Sequence, residues 1–144
     1  MRLYRIIILS LMTYLAGCTS LHNGRFSEAP TSVNQTMALD AASRLAALYP
    51  PAHTRLTLMQ PIKDAFGVSL VHLLRQKGYS VVESTPKGAV ADGLALRYVV
   101  DSSKKHILHR VTLMVGTQRM SHAYFLKNGA LHPIGVWVRQ EWVR

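Results

Sequence analysis

Apolar residues follow three different rules along this chain: an unbroken run near the start, helical spacing through the first half, and alternation through the second. Residues 6–15 form the run. At 1.5 Å rise per residue it has about half the length of a bilayer-spanning helix, which needs roughly 20 apolar residues. Residues 19–35 are Ser, Thr, Asn, Gly, Glu and Pro with few large apolar groups, a composition that reads as a flexible tether. Residues 36–48 then place Met37, Ala38, Ala41, Ala42, Leu45 and Leu48 near helical spacing. Thr36 or Asn34 is the expected N-cap, and Pro50-Pro51 the stop.

Residues 54–59 alternate Thr54, Leu56 and Leu58 with Arg55 and Thr57, a short strand. The next pattern is helical, with Pro61 suited to its first turn. Its apolar stripe is Ile62, Ala65, Phe66, Ser69, Leu70, Leu73 and Leu74. Gly78 is the expected C′ residue, and Arg75 and Lys77 complement the negative end of the helix dipole. Residues 79–83 return to a strand, so 54–83 predicts a β-α-β unit. A loop with Pro86, Gly88 and Gly93 follows.

From there the pattern is strand after strand, over residues 94–101, 107–115, 118–126 and 131–142. Asn128-Gly129 is a strong hairpin signal, because a type I′ turn needs positive φ at both positions. Connections this short require antiparallel neighbours. The expected fold is α+β: a two-layer sandwich with two helices on one face of a mainly antiparallel sheet of five to six strands. Residues 36–144 have the length of a single domain with one core.

The opening run closes on Leu15-Ala16-Gly17-Cys18. This resembles the lipobox of bacterial lipoproteins, with Arg2 and Arg5 as the positive n-region and residues 6–15 as the h-region. The Cys18 sulfur can take a diacylglycerol as a thioether, and the small Ala16 and Gly17 leave the cleavage site accessible. An ordinary signal peptide with an incidental cysteine is the plainer alternative. The lipobox reading gives a signal peptide over 1–17, a lipidated tether over 18–35 and a periplasmic domain over 36–144. Thr19 stands where an aspartate commonly retains lipoproteins at the inner membrane, which points to the outer membrane. Cys18 is the sole cysteine. Once acylated, it leaves no thiol for a disulfide, for thiol catalysis or for thiolate metal ligands within the chain.

Charge changes the picture further. Seventeen Lys and Arg against seven Asp and Glu give a formal net charge of +10. In a cytosolic chain that balance would suggest nucleic acid. Export shifts the expected partners to anionic lipid head groups, cell-wall carboxylates or acidic proteins. Lys104, Lys105 and Arg110 gather with His106 around one predicted hairpin, and Arg97 and Arg119 share the sheet if its strands pair in order. These five are the candidate binding residues, as a solvated sheet face or as a surface for an acidic partner.

Other chemistry is thinly supported. His106 and His109 are the closest of seven histidines, but residues three apart in a strand point to opposite faces, and no metal site is expected. Ser69 lacks the second glycine of a nucleophile elbow. Glu83, Asp92 and Asp101 do not form a carboxylate pair for acid-base work. Gly88, Gly93 and Gly116 have no phosphate-loop spacing. No catalytic residue and no cofactor is expected. Val136, Trp137 and Trp142 suggest either half-buried strand aromatics or an edge open to β-augmentation.

Two segments, Phe66-Gly67-Val68-Ser69-Leu70 and Leu73-Leu74-Arg75-Gln76-Lys77-Gly78-Tyr79-Ser80-Val81-Val82, resemble the TrbH family of conjugal-transfer lipoproteins. Leu96-Arg97-Tyr98-Val99-Val100-Asp101, Arg110-Val111 and Arg119-Met120-Ser121-His122-Ala123-Tyr124 follow in the family's order. The resemblance implies a non-enzymatic envelope lipoprotein of a conjugative type IV secretion apparatus. Such a protein would support assembly of the mating-pair channel at the outer membrane, in a hetero-oligomeric complex with channel proteins and without direct nucleic-acid binding. The long apolar strand after Tyr124, with Trp137 and Trp142, and the basic balance fall outside the resemblance. An envelope module that recognises cell wall or an acidic ligand through the basic sheet face is the alternative.

Overall fold

A computed structural model describes residues 29–83 and 92–141; the expected signal peptide, Cys18 and Trp142 lie outside them. Helix α1 (Thr31–Leu48) leads through a single 3-10 turn at Pro51–His53 into β1 (Arg55–Leu58). Helix α2 (Ala65–Gln76) and β2 (Ser80–Glu83) follow. Strands β3 (Leu94–Ser102), β4 (Leu108–Val115), β5 (Gln118–Lys127) and β6 (Ala130–Glu141) complete the chain. The sheet order is β2-β1-β3-β4-β5-β6. β1 runs parallel to both β2 and β3, and the later pairings are antiparallel. This is the expected α+β architecture, with the β-α-β unit at one edge and a meander making up the rest.

Both helices cover one face of the sheet. Met37, Ala38, Ala41, Ala42 and Leu45 of α1 and Phe66, Leu70 and Leu74 of α2 bury against Leu56, Leu58, Leu96, Leu113 and Met120. The alanines on α1 keep its surface low, so helix and sheet approach closely. Asn128 and Gly129 have φ of 52° and 75°, the left-handed pair that a type I′ hairpin requires. α2 ends in a Schellman motif, in which Tyr79 N–H donates to Leu74 O and Gly78 N–H to Arg75 O, with Gly78 at φ 91°.

Two helix starts differ from expectation. α1 begins at Thr31, not Thr36, so residues 31–35 belong to the body and not to the polar segment that was expected to run through 35. Val33 lies one turn before Met37 on the buried face, which extends the apolar stripe backwards. Asn34 is buried too, and its side-chain amide donates to Ala29 O at 2.9 Å. Neither Asn34 nor Thr36 caps the helix. Thr36 Oγ1 instead donates back to Ser32 O, the i−4 contact of a hydroxyl inside a helix. α2 starts at Ala65, leaving Pro61 in the preceding loop. The chain is still held to β3 there, with Met59 N–H on Leu96 O at 2.9 Å and Gln60 Oε1 accepting Tyr98 N–H at 3.1 Å. Only after that contact does Asp64 supply the cap, its Oδ1 accepting Gly67 N–H at 2.8 Å.

Candidate interaction face and the clasps behind it

Period-two alternation sends Leu96, Tyr98 and Val100 of β3 towards the helices and leaves Arg97, Val99 and Asp101 on the other face. No described element covers that second face. Its side chains fall into rows set by the strand register. Arg97 is paired with Met114, and Met114 with Arg119. The next row is Val99, Thr112, Ser121 and Val138, and the one after it Asp101, Arg110, Ala123 and Ile134. Leu108, Phe125 and His132 form the last row, where the Phe125 and His132 rings stack at 5.0 Å. The face therefore carries two cations at one end and a mixed middle, in which Thr112, Ser121 and the Asp101–Arg110 pair lie among apolar residues and Ile134 and Val138 remain about half exposed.

The five basic candidates fall in three places. Arg97 and Arg119 flank Met114, both exposed and with no ion-pair partner among the described residues. Arg110 donates to Asp101 Oδ2 at 2.8 and 3.2 Å, so its charge is locally matched. That pair sits in solvent and stabilises by no more than about 1 kcal/mol. Lys104 and Lys105 lie in the turn between β3 and β4, at the end of the sheet. Their turn is closed by His106 N–H on Ser103 O and Ser103 N–H on Leu108 O, with His106 at φ 53°.

Behind the face, two aspartates on the helix layer hold the sheet. Asp40 of α1 receives three donors on its Oδ2: Tyr124 Oη at 2.6 Å, His122 Nδ1 at 2.8 Å and Trp137 Nε1 at 3.1 Å. A carboxylate only accepts, so His122 carries its proton on Nδ1. The rings of Tyr124 and Trp137 also lie 4.7 and 5.1 Å from that of His122. Asp64 uses its second oxygen, Oδ2, to accept the Tyr98 hydroxyl at 2.6 Å. Burial above all, and then the adjacent carboxylate, pushes the Tyr98 and Tyr124 phenols far above their ordinary range. Both stay protonated and serve as fixed donors.

Sequence reasoning did not single out Asp40, Asp64 or these donor roles. The visible signal was an aspartate at 40 set among the buried positions 37, 38, 41 and 42 of an otherwise small and apolar helix. Asp40 and His122 have the geometry of an orienting carboxylate and a base. The remaining nitrogen of His122, Nε2, is buried, and no nucleophile or other hydrogen-bond partner reaches it among the described residues. Ser69 lies inside α2 and lines an open groove of about 480 Å³ between the helices, with His72 and Leu39. His109 turns inward, its Nε2 3.0 Å from His106 O, and burial lowers its pKa. No group of three potential metal ligands occurs among the described residues.

The fold thus defines a class: a two-layer α+β domain clasped on one sheet face and open on the other. The family described as conjugal transfer protein TrbH matches residues 20–141, and the chain belongs to it. The match takes in both clasps and all six strands. No curated protein and no solved structure gives a match. No helix among the described residues is long and apolar enough to cross a membrane.

Proposed function

We propose that this conjugal transfer protein is a non-enzymatic lipoprotein, held at the outer membrane through Cys18, whose body docks onto channel subunits of a type IV secretion apparatus. Family membership supports a role in transfer. The observation that carries the docking reading is the open sheet face, where two arginines without an ion-pair partner among the described residues flank Met114, with Val138 and Ile134 half exposed in the rows beside them. Arginine next to apolar side chains is a common composition for the centre of a protein interface.

Reversing the two free charges tests this. Arg97→Glu with Arg119→Glu should reduce co-purification of channel subunits about tenfold or more while shifting stability by less than about 0.5 kcal/mol, as expected for exposed side chains. Undiminished recovery of the subunits would refute the docking face. Loss of salt-sensitive binding to isolated cell wall, with channel association intact, would favour the cell-wall module instead. The anchor has its own test. Cys18→Ser should move the protein from the membrane fraction to the soluble fraction, because acyl chains contribute about 0.8 kcal/mol per buried CH₂.

A further inference from the structure

The end of the domain bearing the β3–β4 and β5–β6 turns combines exposed lysines with exposed apolar residues and has no acidic residue in either turn. β3 and β5 both run antiparallel to β4, so the turns that follow them close the same end of the sheet. Leu126 N–H donates to Ile107 O at 2.8 Å and ties the two turns together. Lys104, Lys105 and Lys127 are exposed there, and none has an ion-pair partner among the described residues. Residues 102–108 and 126–132 contain no Asp or Glu, and Asp101, next to them in sequence, is already taken by Arg110. Between the lysines, Ile107 and Leu108 are each 50 % exposed.

The same end receives the chain from its N-terminal side. The Tyr79 hydroxyl donates to Tyr49 O, which places the C-terminal end of α1 beside the start of β2. β2 is parallel to β1, and β1 to β3, so that is the sheet end opposite to the end of β3. α1 therefore begins at the end that carries the lysines. Eleven residue steps separate Cys18 from Ala29. Even fully extended they reach at most ~40 Å.

We propose that this end of the domain rests on the membrane, with Lys104, Lys105 and Lys127 on anionic lipid phosphates and Ile107 and Leu108 entering the interface. The proposal rests on the anchor at Cys18. Lysines alone would suit any polyanion, including nucleic acid. Half-exposed isoleucine and leucine set among them suit a surface that offers phosphates above hydrocarbon. Lysine stems can lie along the apolar contact while their ammonium groups stay at the phosphates.

The test uses the mature, lipidated protein carrying Ile107→Cys. With the Cys18 sulfur held as a thioether, the new thiol is the single site for a polarity-sensitive fluorophore. Reconstitution compares vesicles of phosphatidylcholine alone with vesicles containing phosphatidylglycerol. The protein should float with both, and the probe should shift to the blue only in the anionic vesicles. About 0.5 M salt, which shortens the screening length to a few ångströms, should reverse the shift. The combined changes Lys104→Glu, Lys105→Glu and Lys127→Glu should abolish it. A protein that floats while its probe stays water-exposed in anionic vesicles overturns the proposal and leaves the anchor intact. Failure to float with neutral vesicles, with labelling at Cys18 as well, overturns the anchor and the proposal together. In cells, a photocrosslinker at the same position that captures a protein or nucleic acid in place of lipid also overturns it.

Discussion

Gly67 shows how much can depend on a missing side chain. A β-carbon there would lie 1.9 Å from the Tyr98 hydroxyl, so only glycine lets that hydroxyl reach Asp64 across the first turn of α2. The Phe66 ring, 5.2 Å from that of Tyr98, fills the space on the other side. Alanine is a better helix former than glycine by about 1 kcal/mol. Gly67→Ala should nevertheless destabilise by about 1–3 kcal/mol, because the displaced phenol and the carboxylate lose each other. Chemical denaturation would read this as a lower midpoint, and an unchanged or higher one would show that the Asp64–Tyr98 contact contributes little. The resemblance blocks contain Gly67, Tyr98, His122 and Tyr124, yet the reason for these residues is spatial. Tyr98 is 34 residues from Asp64, and Tyr124 is 84 from Asp40. No local pattern announces a partner at that separation.

At the scale of elements, legibility followed periodicity. The meander strands were readable because period two and an Asn-Gly turn leave few alternatives, and α2 was readable from its stripe. The start of α1 was not, because its first turn is polar in composition and is held by the Asn34 amide and one buried valine. The Asp40 clasp is what fastens that helix to β5 and β6. Asp40→Ala would strand three donors, His122, Tyr124 and Trp137, around one lost oxygen. We expect a loss of about 2–4 kcal/mol. In a Trp142→Phe background, Trp137 fluorescence should report the release of β6 at lower denaturant than global unfolding. Coincident transitions would mean that helix and hairpin separate only together. The outer edge of β6 is also instructive. Pro133 withholds an N–H from any further strand, and Gly135, at φ 69°, sits in a register irregularity opposite residues 121–123. These devices discourage edge pairing, so the β-augmentation suggested by Val136 and Trp137 meets a guarded strand. Trp137 itself turns to Asp40.

Across the whole molecule, the buried titratable groups set a pH window. Tyr98 and Tyr124 hold their protons in the folded state above the ordinary phenol value of 10.0, whereas the unfolded chain releases them there. The stability they contribute is therefore fully present below pH 10 and falls as pH rises beyond it. His109 works in the opposite direction. Its folded pKa lies below 6.5, so on acidification the unfolded chain takes up the proton first and stability declines below that value. Melting temperature against pH should show a plateau bounded on both sides. The alkaline slope should flatten in the Tyr98→Phe, Tyr124→Phe variant, and an undiminished slope would assign it to other groups. The net charge of +10 was legible in composition, but its division was not. Only the folded sheet shows that Arg110 is neutralised by Asp101, that Arg97 and Arg119 have no ion-pair partner among the described residues, and that Lys104 and Lys105 lie in a turn at one end of the sheet.

The early start of α1 has one more consequence. With residues 31–35 folded into the helix, the proposed attachment at Cys18 confines the body to a shallow shell of membrane-proximal space about 40 Å in reach. One molecule in a hemisphere of that radius corresponds to an effective concentration on the order of 10 mM. Contacts too weak to survive dilution, with dissociation constants in the millimolar range, would still be occupied most of the time on so short a leash.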